Sequence, residues 1–310
     1  MKGDMQSWTP NIAGIIEHAN KVFPDVEVVS KLVSGETHRT NYGEVCIRSR
    51  KLASALEKNG YKEGDILATL ALNSYRHLEI YYGVSGMGAI NHTLNFRLHP
   101  DQAVYIINHA EDKIIFCELP FVPLLESLQD QFNTVEKFII LCDENELPES
   151  SLKNTISYEE FLKEGDENFV WPQLQDDAAC GLCYTSGTTG NPKGVVYHHR
   201  GSYLMSTGSA TAWNMPNKLN FLCVVPMFHC NGWCYPWTLA MLHARVICLR
   251  NIDVKKMFEL IDKYEVTHFG GAPIVLNMIV NAPKEDQKVL KRKVNVLTAG
   301  APPPSIIFEK

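Results

Sequence analysis

Apolar segments alternate with amphipathic ones along the first half of the chain. Residues 39–60 predict a helix, since Asn41 and Glu44 have the spacing of a capping box and Gly60 follows its end. The next apolar segment, residues 66–72 (ILATLAL), is typical of a strand buried on both faces. Further strands are predicted at 89–94, 113–118 and 137–143, with helices over 74–87, from Pro100 and over 122–132. Strands that alternate with helices predict an α/β fold with mixed, largely parallel sheets flanked by helices.

A second set of short apolar strands begins after Asp176. They are predicted at residues 178–184, 220–225, 246–249, 267–270 and 294–297. We therefore expect two subdomains, residues 1–175 and residues 176–310. Three prolines and what resemble the first turns of a helix end the chain, so we expect it to be the N-terminal part of a longer large domain.

The composition narrows the class of partner and the compartment. The 310 residues are 45% hydrophobic and carry 29 basic and 35 acidic side chains, a net charge of −6 that argues against a nucleic acid or an anionic membrane as partner. Because no stretch of 18 residues is free of charged and strongly polar groups, we expect no integral membrane segment. The nine scattered cysteines indicate reduced thiols and hence a cytoplasmic location. We interpret the Cys180-x-x-Cys183 pair and the Cys230 and Cys234 pair as packing residues rather than redox or metal ligands.

The strongest chemical signal is the segment Tyr184–Gly194 (YTSGTTGNPKG), directly after a predicted buried strand. It holds three glycines, three threonines, one serine and one lysine, so backbone N–H groups, hydroxyls and an ammonium can converge on an anion. It lacks the spacing of a Walker A loop, and Ser186 lacks the preceding glycine of a nucleophile elbow. We interpret it as a phosphate-binding loop; a flexible surface loop is the alternative.

This segment closely resembles the phosphate loop of the adenylate-forming superfamily, in particular the fatty acyl-CoA synthetases. Other segments that resemble the family follow in the same order: VPMFHCNGW at 225–233, GGAP at 270–273 and TAGAP at 298–302. Upstream, RHLE at 76–79 and residues 98–112 are also similar. The resemblance covers essentially all 310 residues.

The resemblance implies a two-step ligase that uses ATP and coenzyme A as co-substrates and Mg²⁺ as cofactor. A carboxylic acid attacks the α-phosphorus of ATP, and the thiol of coenzyme A then captures the acyl-adenylate. Lys193 and His229 are the implied catalytic residues, and Thr185 is the implied Mg²⁺ ligand. The implied phosphate-binding residues are Thr185, Ser186, Gly187, Thr188, Thr189, Gly190 and Lys193; the adenine-binding ones are Gly300, Ala301 and Pro302; the acyl-binding ones are His229, Asn231, Trp233, Gly270 and Gly271.

Several alternatives stay open. On the residues alone, His229 and Trp233 are best interpreted as core side chains, and only the resemblance gives them a role at the acyl site. The family's Mg²⁺-binding glutamate, ribose-binding aspartate and C-terminal lysine have no counterpart in these 310 residues, so the chain alone is expected to be inactive. A non-catalytic nucleotide-binding module is the competing function. The resemblance also implies a homodimer, and the acyl chain is unassigned.

Overall fold

The computed structural model describes residues 3–4, 8–185 and 190–309. In chain order the strands are β1 (Glu27–Lys31), β2 (Thr37–Asn41), β3 (Ile66–Leu70), β4 (Ile90–Thr93), β5 (Ile114–Cys117), β6 (Lys137–Ile140), β7 (Thr155–Ser157), β8 (Ala179–Thr185), β9 (Lys193–His198), β10 (Asn220–Cys223), β11 (Arg245–Cys248), β12 (His268–Gly270) and β13 (Asn295–Leu297). The helices are α1 (Ile12–Val22), α2 (Tyr42–Lys58), α3 (Tyr75–Gly86), α4 (Pro100–Ala110), α5 (Val122–Leu128), α6 (Tyr158–Lys163), α7 (His199–Ala212), α8 (Tyr235–Met241), α9 (Val254–Lys263), α10 (Pro273–Val280) and α11 (Ser305–Glu309).

The strands form two sheets. The seven-stranded sheet has the order β7-β6-β5-β3-β4-β8-β9, and the six-stranded sheet has the order β13-β12-β10-β11-β1-β2. The pairings are parallel, except that β1 with β2 and β8 with β9 are antiparallel. The mixed, largely parallel α/β fold predicted from the sequence is confirmed.

Each sheet draws strands from both halves of the chain. β1 and β2 join the strands that follow residue 219, whereas β8 and β9 join the strands that precede residue 158. The expected division near residue 175 therefore does not separate one sheet from the other. The order of strands along the chain cannot reveal this exchange, because it depends on contacts between distant residues.

The predicted elements agree with the structure apart from their ends. One such difference is at the first predicted helix, which begins at Tyr42 and not at residue 39, because residues 39–41 pair with β1 as part of β2. The predicted cap is present there: the side chain of Asn41 accepts a hydrogen bond from the backbone N–H of Glu44.

Helix α3 lies between the two sheets. Every residue from Tyr75 to Gly86 is buried, and the helix contacts β1 of one sheet and β3, β4 and β8 of the other. In a helix that is buried on all sides, each polar side chain needs a hydrogen-bond partner within the protein. Glu79 accordingly accepts hydrogen bonds from Arg48 and from the Tyr158 hydroxyl, each within 2.9 Å. This helix fixes the distance between the sheets and so positions the segments at their edges.

Across the part of the chain that is described, no helix combines the length and the apolar character needed to cross a bilayer.

Candidate active site

The phosphate-loop candidate is a hairpin at the end of the seven-stranded sheet. Thr185 is the last residue of β8 and pairs with Lys193, the first residue of β9. Gly190 is exposed with φ of +112°, a conformation that glycine adopts without strain. Ser186, Gly187, Thr188 and Thr189 lie outside the described residues.

Thr185 and Lys193 present their side chains on the same face of this hairpin, because directly opposite residues in an antiparallel pair share a face. Both residues are exposed. The Thr185 hydroxyl donates a long hydrogen bond, 3.4 Å, to the carbonyl oxygen of Lys193, and within the described part of the chain its oxygen accepts none. A hydroxyl and an ammonium side by side at the carboxyl end of a parallel strand can bind an anion.

Tyr184 connects the hairpin to α4 and β4. Its hydroxyl lies 2.6 Å from Nδ1 of His109 on α4, and its ring lies 5.1 Å from that of His92 on β4. His92 Nδ1 in turn lies 2.7 Å from Asp112 Oδ2, and both side chains are fully buried. Burial raises the pKa of Asp112, and the contact with His92 acts in the opposite direction. Sequence reasoning missed this support, because histidines and an aspartate scattered over 20 residues form no motif.

The second segment, residues 224–235, follows β10 of the six-stranded sheet and is held by side chains of the first half of the chain. The amide nitrogen of Asn73 donates to the carbonyl oxygens of Cys223 and Val225, each at 3.0 Å, and its amide oxygen accepts from the N–H of Met227 at 2.7 Å. Tyr81 on α3 donates its hydroxyl to the carbonyl oxygen of Met227. The segment is therefore fixed before any ligand arrives. The sequence reasoning also missed Asn73. The available signal was an asparagine directly after the apolar segment 66–72.

The same segment crosses to the seven-stranded sheet at Phe228. The Thr93 hydroxyl donates to the Phe228 carbonyl oxygen at 3.0 Å, and Sγ of Cys183 lies 3.7 Å from it. Cys183 is two residues from Thr185, and Phe228 is adjacent to His229. The structure thus brings His229, which is exposed, to the neighbourhood of the phosphate-loop hairpin.

A left-handed turn follows His229. Residues 230–234 all have positive φ, between 46° and 61°, and four of the five are not glycine. The left-handed conformation costs roughly 1–2 kcal/mol for a residue with a Cβ, and such strain is concentrated at functional sites. Gly232 also packs closely, since a Cβ there would lie 3.2 Å from Cα of Met227.

Asn231 and Trp233 belong to this turn but differ in exposure. Asn231 is buried, and neither atom of its amide has a hydrogen-bond partner among the described residues. Its amide packs against Gly181 of β8, where a Cβ would lie 3.3 Å from it. Trp233 is half-buried, with its ring 6.2 Å from that of Tyr235.

The two glycine candidates of the acyl site and the adenine candidates lie at the ends of two neighbouring strands. Gly270 ends β12 and pairs with Leu297, which ends β13, and the N–H of Gly271 donates to the Leu297 carbonyl oxygen at 2.9 Å. The loop with Gly300, Ala301 and Pro302 follows β13 and is exposed. Because β12 also pairs with β10, Gly270 and the start of the segment 224–235 share one edge of the sheet.

The donor set limits the kind of metal that this part of the protein could bind. The described residues contain no group of three or more His, Cys, Asp and Glu arranged to hold a metal ion. All nine cysteines are free, and all except Cys230 are buried. The Thr185 hydroxyl is an oxygen ligand of the kind that Mg²⁺ accepts.

The chain is similar in sequence to known acyl-CoA ligases. The chain is 38% identical to a 3-methylmercaptopropionyl-CoA ligase of Ruegeria lacuscaerulensis, over 99% of this chain and 58% of that protein. It is 38% identical to a medium-chain-fatty-acid–CoA ligase of Ectopseudomonas oleovorans, over the whole of this chain and 57% of that protein. The chain thus spans somewhat more than half the length of these curated relatives.

Solved structures show the same fold. The N-terminal domain of FACL13 from Mycobacterium tuberculosis superimposes with a TM-score of 0.85 at 23% identity, over 97% of this chain and 72% of that one. A long-chain-fatty-acid-CoA ligase from Archaeoglobus fulgidus gives a TM-score of 0.86 at 20% identity, over all of this chain and 62% of that one.

The family assignment rests on a match to nearly the whole chain. The matching family is described as AMP-binding enzyme, and the match spans residues 16–310. It includes both the hairpin and the segment that carries His229. This chain therefore belongs to the AMP-binding enzyme family.

Proposed function

We propose that the protein is an acyl-CoA synthetase, an acid–thiol ligase that converts a carboxylic acid to an acyl-adenylate with ATP and then to a thioester with coenzyme A. The observation that carries the proposal is the pairing of Thr185 with Lys193 at the end of β8, near the strained turn that follows His229. The names of the relatives support the same reaction class.

The residues divide into an ATP part and an acyl part. Lys193 supplies a positive charge to the phosphates, with Thr185, Gly190 and the loop residues Ser186, Gly187, Thr188 and Thr189 as further donors. These donors would offset the charge that develops on the phosphorus and on the departing pyrophosphate. His229, Asn231, Trp233, Gly270 and Gly271 form the acyl part, and Gly300, Ala301 and Pro302 flank the adenine.

No side chain has to act as nucleophile, because the substrate carboxylate fills that role. The protein instead has to hold two anions in line, and such positioning can contribute several kcal/mol of the barrier reduction. The rigid mounting of residues 224–228 suits this task. His229 is exposed at the end of that mounting, where a carboxylate can reach it.

Thr185 is the proposed protein ligand of Mg²⁺. The fit is supported by its exposed hydroxyl oxygen, which makes one long hydrogen bond. Mg²⁺ usually keeps several waters and substrate phosphate oxygens, so one protein oxygen suffices on this side of the ion. When bound, the ion would neutralise charge on the phosphates.

We also propose a cytoplasmic location, supported by the nine free thiols. A homodimer is proposed from the family resemblance alone.

The test is release of pyrophosphate that depends on added carboxylic acid, measured with the full-length gene product. Lys193→Ala is expected to lower the adenylation rate by about tenfold to a hundredfold, since charge-assisted hydrogen bonds contribute roughly 1.5–3 kcal/mol. Lys256→Ala, at an exposed lysine on α9, is the matched control and leaves the rate unchanged. An unchanged rate in Lys193→Ala contradicts the assignment of the hairpin. Absence of acid-dependent pyrophosphate release from the unaltered protein favours the non-catalytic nucleotide-binding module.

A further inference from the structure

A buried tyrosine lies next to the proposed acyl part of the site. Tyr235 begins α8 and is 0% exposed. Its ring lies 4.6 Å from that of Phe221, 5.8 Å from that of Trp213 and 6.2 Å from that of Trp233. Three aromatic rings therefore pack around the tyrosine ring.

The hydroxyl end of the ring lies against Gly270. A Cβ at position 270 would come within 2.7 Å of Tyr235 Cε2 and 2.8 Å of Cζ, and closer still to the hydroxyl oxygen. Contacts this short do not occur with real Cβ atoms, so only glycine at 270 accommodates the tyrosine. Tyr235 thus fills the space between α8 and the carboxyl end of β12.

The hydroxyl itself has no hydrogen-bond partner among the described residues, although it is buried. Burial also raises the pKa of Tyr235, which keeps the hydroxyl neutral. A buried group of this kind is uncommon, because an unmade hydrogen bond is not compensated by packing. The hydroxyl is therefore not what holds Tyr235 in place; the fit of its ring is.

The space beside a second glycine, which faces the acyl candidate Asn231, is filled in the same way. Gly181 on β8 leaves room that the amide of Asn231 takes, with closest approaches of 3.3 and 3.4 Å to the position of a Cβ. Each of these strands thus carries a glycine, yet a neighbouring side chain fills the space that the glycine provides. The space beside both glycines, at Gly181 and at Gly270, is therefore taken by side chains of residues 231–235.

We propose that Tyr235 closes the acyl site and that the protein selects short aliphatic acids, from acetate to butanoate, over long ones. This inference rests on the proposed acyl-CoA synthetase function. The relatives do not decide the matter, because their names range from an acetate/butyrate–CoA ligase of Arabidopsis thaliana to a long-chain-fatty-acid–CoA ligase of Thermus thermophilus. A filled pocket rejects longer substrates sterically, and a single methylene in such a pocket changes kcat/KM by about 10- to 200-fold.

The experiment compares kcat/KM for butanoate and for dodecanoate in the full-length gene product. We expect the unaltered protein to prefer butanoate by at least about tenfold and Tyr235→Ala to move this ratio toward dodecanoate by about tenfold or more. Tyr235→Phe keeps the ring and is expected to keep the ratio, while removal of the unpartnered hydroxyl raises Tm by about 2 °C. Leu239→Ala, a buried change one turn further along α8, controls for general loosening of the helix.

The outcomes separate the two proposals. A preference for dodecanoate, or an unchanged ratio in Tyr235→Ala, overturns the role of Tyr235 and leaves the synthetase function standing. Absence of thioester formation from any acid overturns the synthetase function, and the inference falls with it.

A measurement that needs no activity covers the case in which Tyr235→Ala fails to fold. Gly270→Ala is expected to lower Tm, because its Cβ collides with the tyrosine ring. In a protein that already carries Tyr235→Leu, adding Gly270→Ala is expected to lower Tm much less, since the shorter side chain leaves room for the Cβ. Additive losses in the double variant mean that the contact is absent, and the proposal is then wrong.

Discussion

The two segments of the site are supported in different ways. At the base of the hairpin, Thr185 and Lys193 are exposed, and among the described residues the Thr185 hydroxyl makes a single long hydrogen bond. In the segment after β10, by contrast, buried Asn73 alone makes three hydrogen bonds to the backbone, and Thr93 makes another.

This difference indicates that the hairpin residues bind the ligand, whereas Asn73 and Thr93 position the second segment. Exposed donors with few internal partners are available to a ligand, and changing them has little effect on the fold. Buried side chains that grip a backbone segment keep it in place without a ligand, so changing them destabilises the protein. The four predictions below test this division, from the largest expected change in the free energy of unfolding to the smallest.

Asn73→Ala is expected to destabilise the protein most. It leaves the carbonyl groups of Cys223 and Val225 and the N–H of Met227 without their partner in a buried region, which corresponds to a loss of about 3 kcal/mol. Urea denaturation followed by circular dichroism measures it. Asn168→Ala, at an exposed asparagine, serves as the reference. A loss no larger than in the reference means that the segment is held by other contacts.

Lowering the pH is expected to weaken the same support through His77, whose ring stacks on that of Tyr81. Burial lowers the pKa of His77 to about 4, from 6.5 in the unfolded chain. Between these values the unfolded state binds the extra proton, so the free energy of unfolding falls as the pH drops from 6.5 toward 4, by about 2 kcal/mol at pH 5.

His77→Gln removes this contribution, and a pH series of urea denaturations from pH 7 to pH 4 measures the change in slope. The exposed His99→Gln is the matched control, since its side chain is 70% exposed. If both variants keep the slope of the unaltered protein, His77 is not the group responsible.

Thr93→Val is expected to have a smaller effect, because it removes one hydrogen bond, to the Phe228 carbonyl oxygen, and preserves the shape of the side chain. A loss of about 1 kcal/mol in the free energy of unfolding corresponds to one such bond. A loss near 3 kcal/mol instead places Thr93 on a level with Asn73 as a main support.

Lys193→Ala completes the comparison with the smallest change in stability, below about 0.5 kcal/mol, because the side chain is exposed. The same variant is expected to reduce adenylation strongly, as described above. Thermal unfolding measured on the protein prepared for the adenylation assay makes the two readouts comparable. A marked loss of stability means that Lys193 supports the hairpin itself.

The sequence was informative for features that depend on residues close together along the chain. Hydrophobic runs predicted the central strands, the Asn41 cap was predicted from its spacing with Glu44, and the residues of the hairpin form a local pattern. The supports of the second segment were not predictable in this way. Asn73 holds backbone groups at least 150 positions away, and the left-handed turn at 230–234 packs against Gly181 and Met227. Neither leaves a periodicity in the sequence.

The interleaved sheets have a consequence for synthesis on the ribosome. Strand β1 pairs with β11, and Glu27 forms an ion pair with Arg245, which lies 218 residues further along the chain. At a typical rate of about 5–20 residues per second, β1 waits on the order of 10 to 40 s for this partner, whereas β3 to β6 find theirs among near neighbours. The seven-stranded sheet can therefore be assembled first, and the β1–β2 hairpin remains an unpaired edge until β11 has left the exit tunnel. Nascent chains stalled before residue 245 are the state in which this edge is open to chaperones and to aggregation.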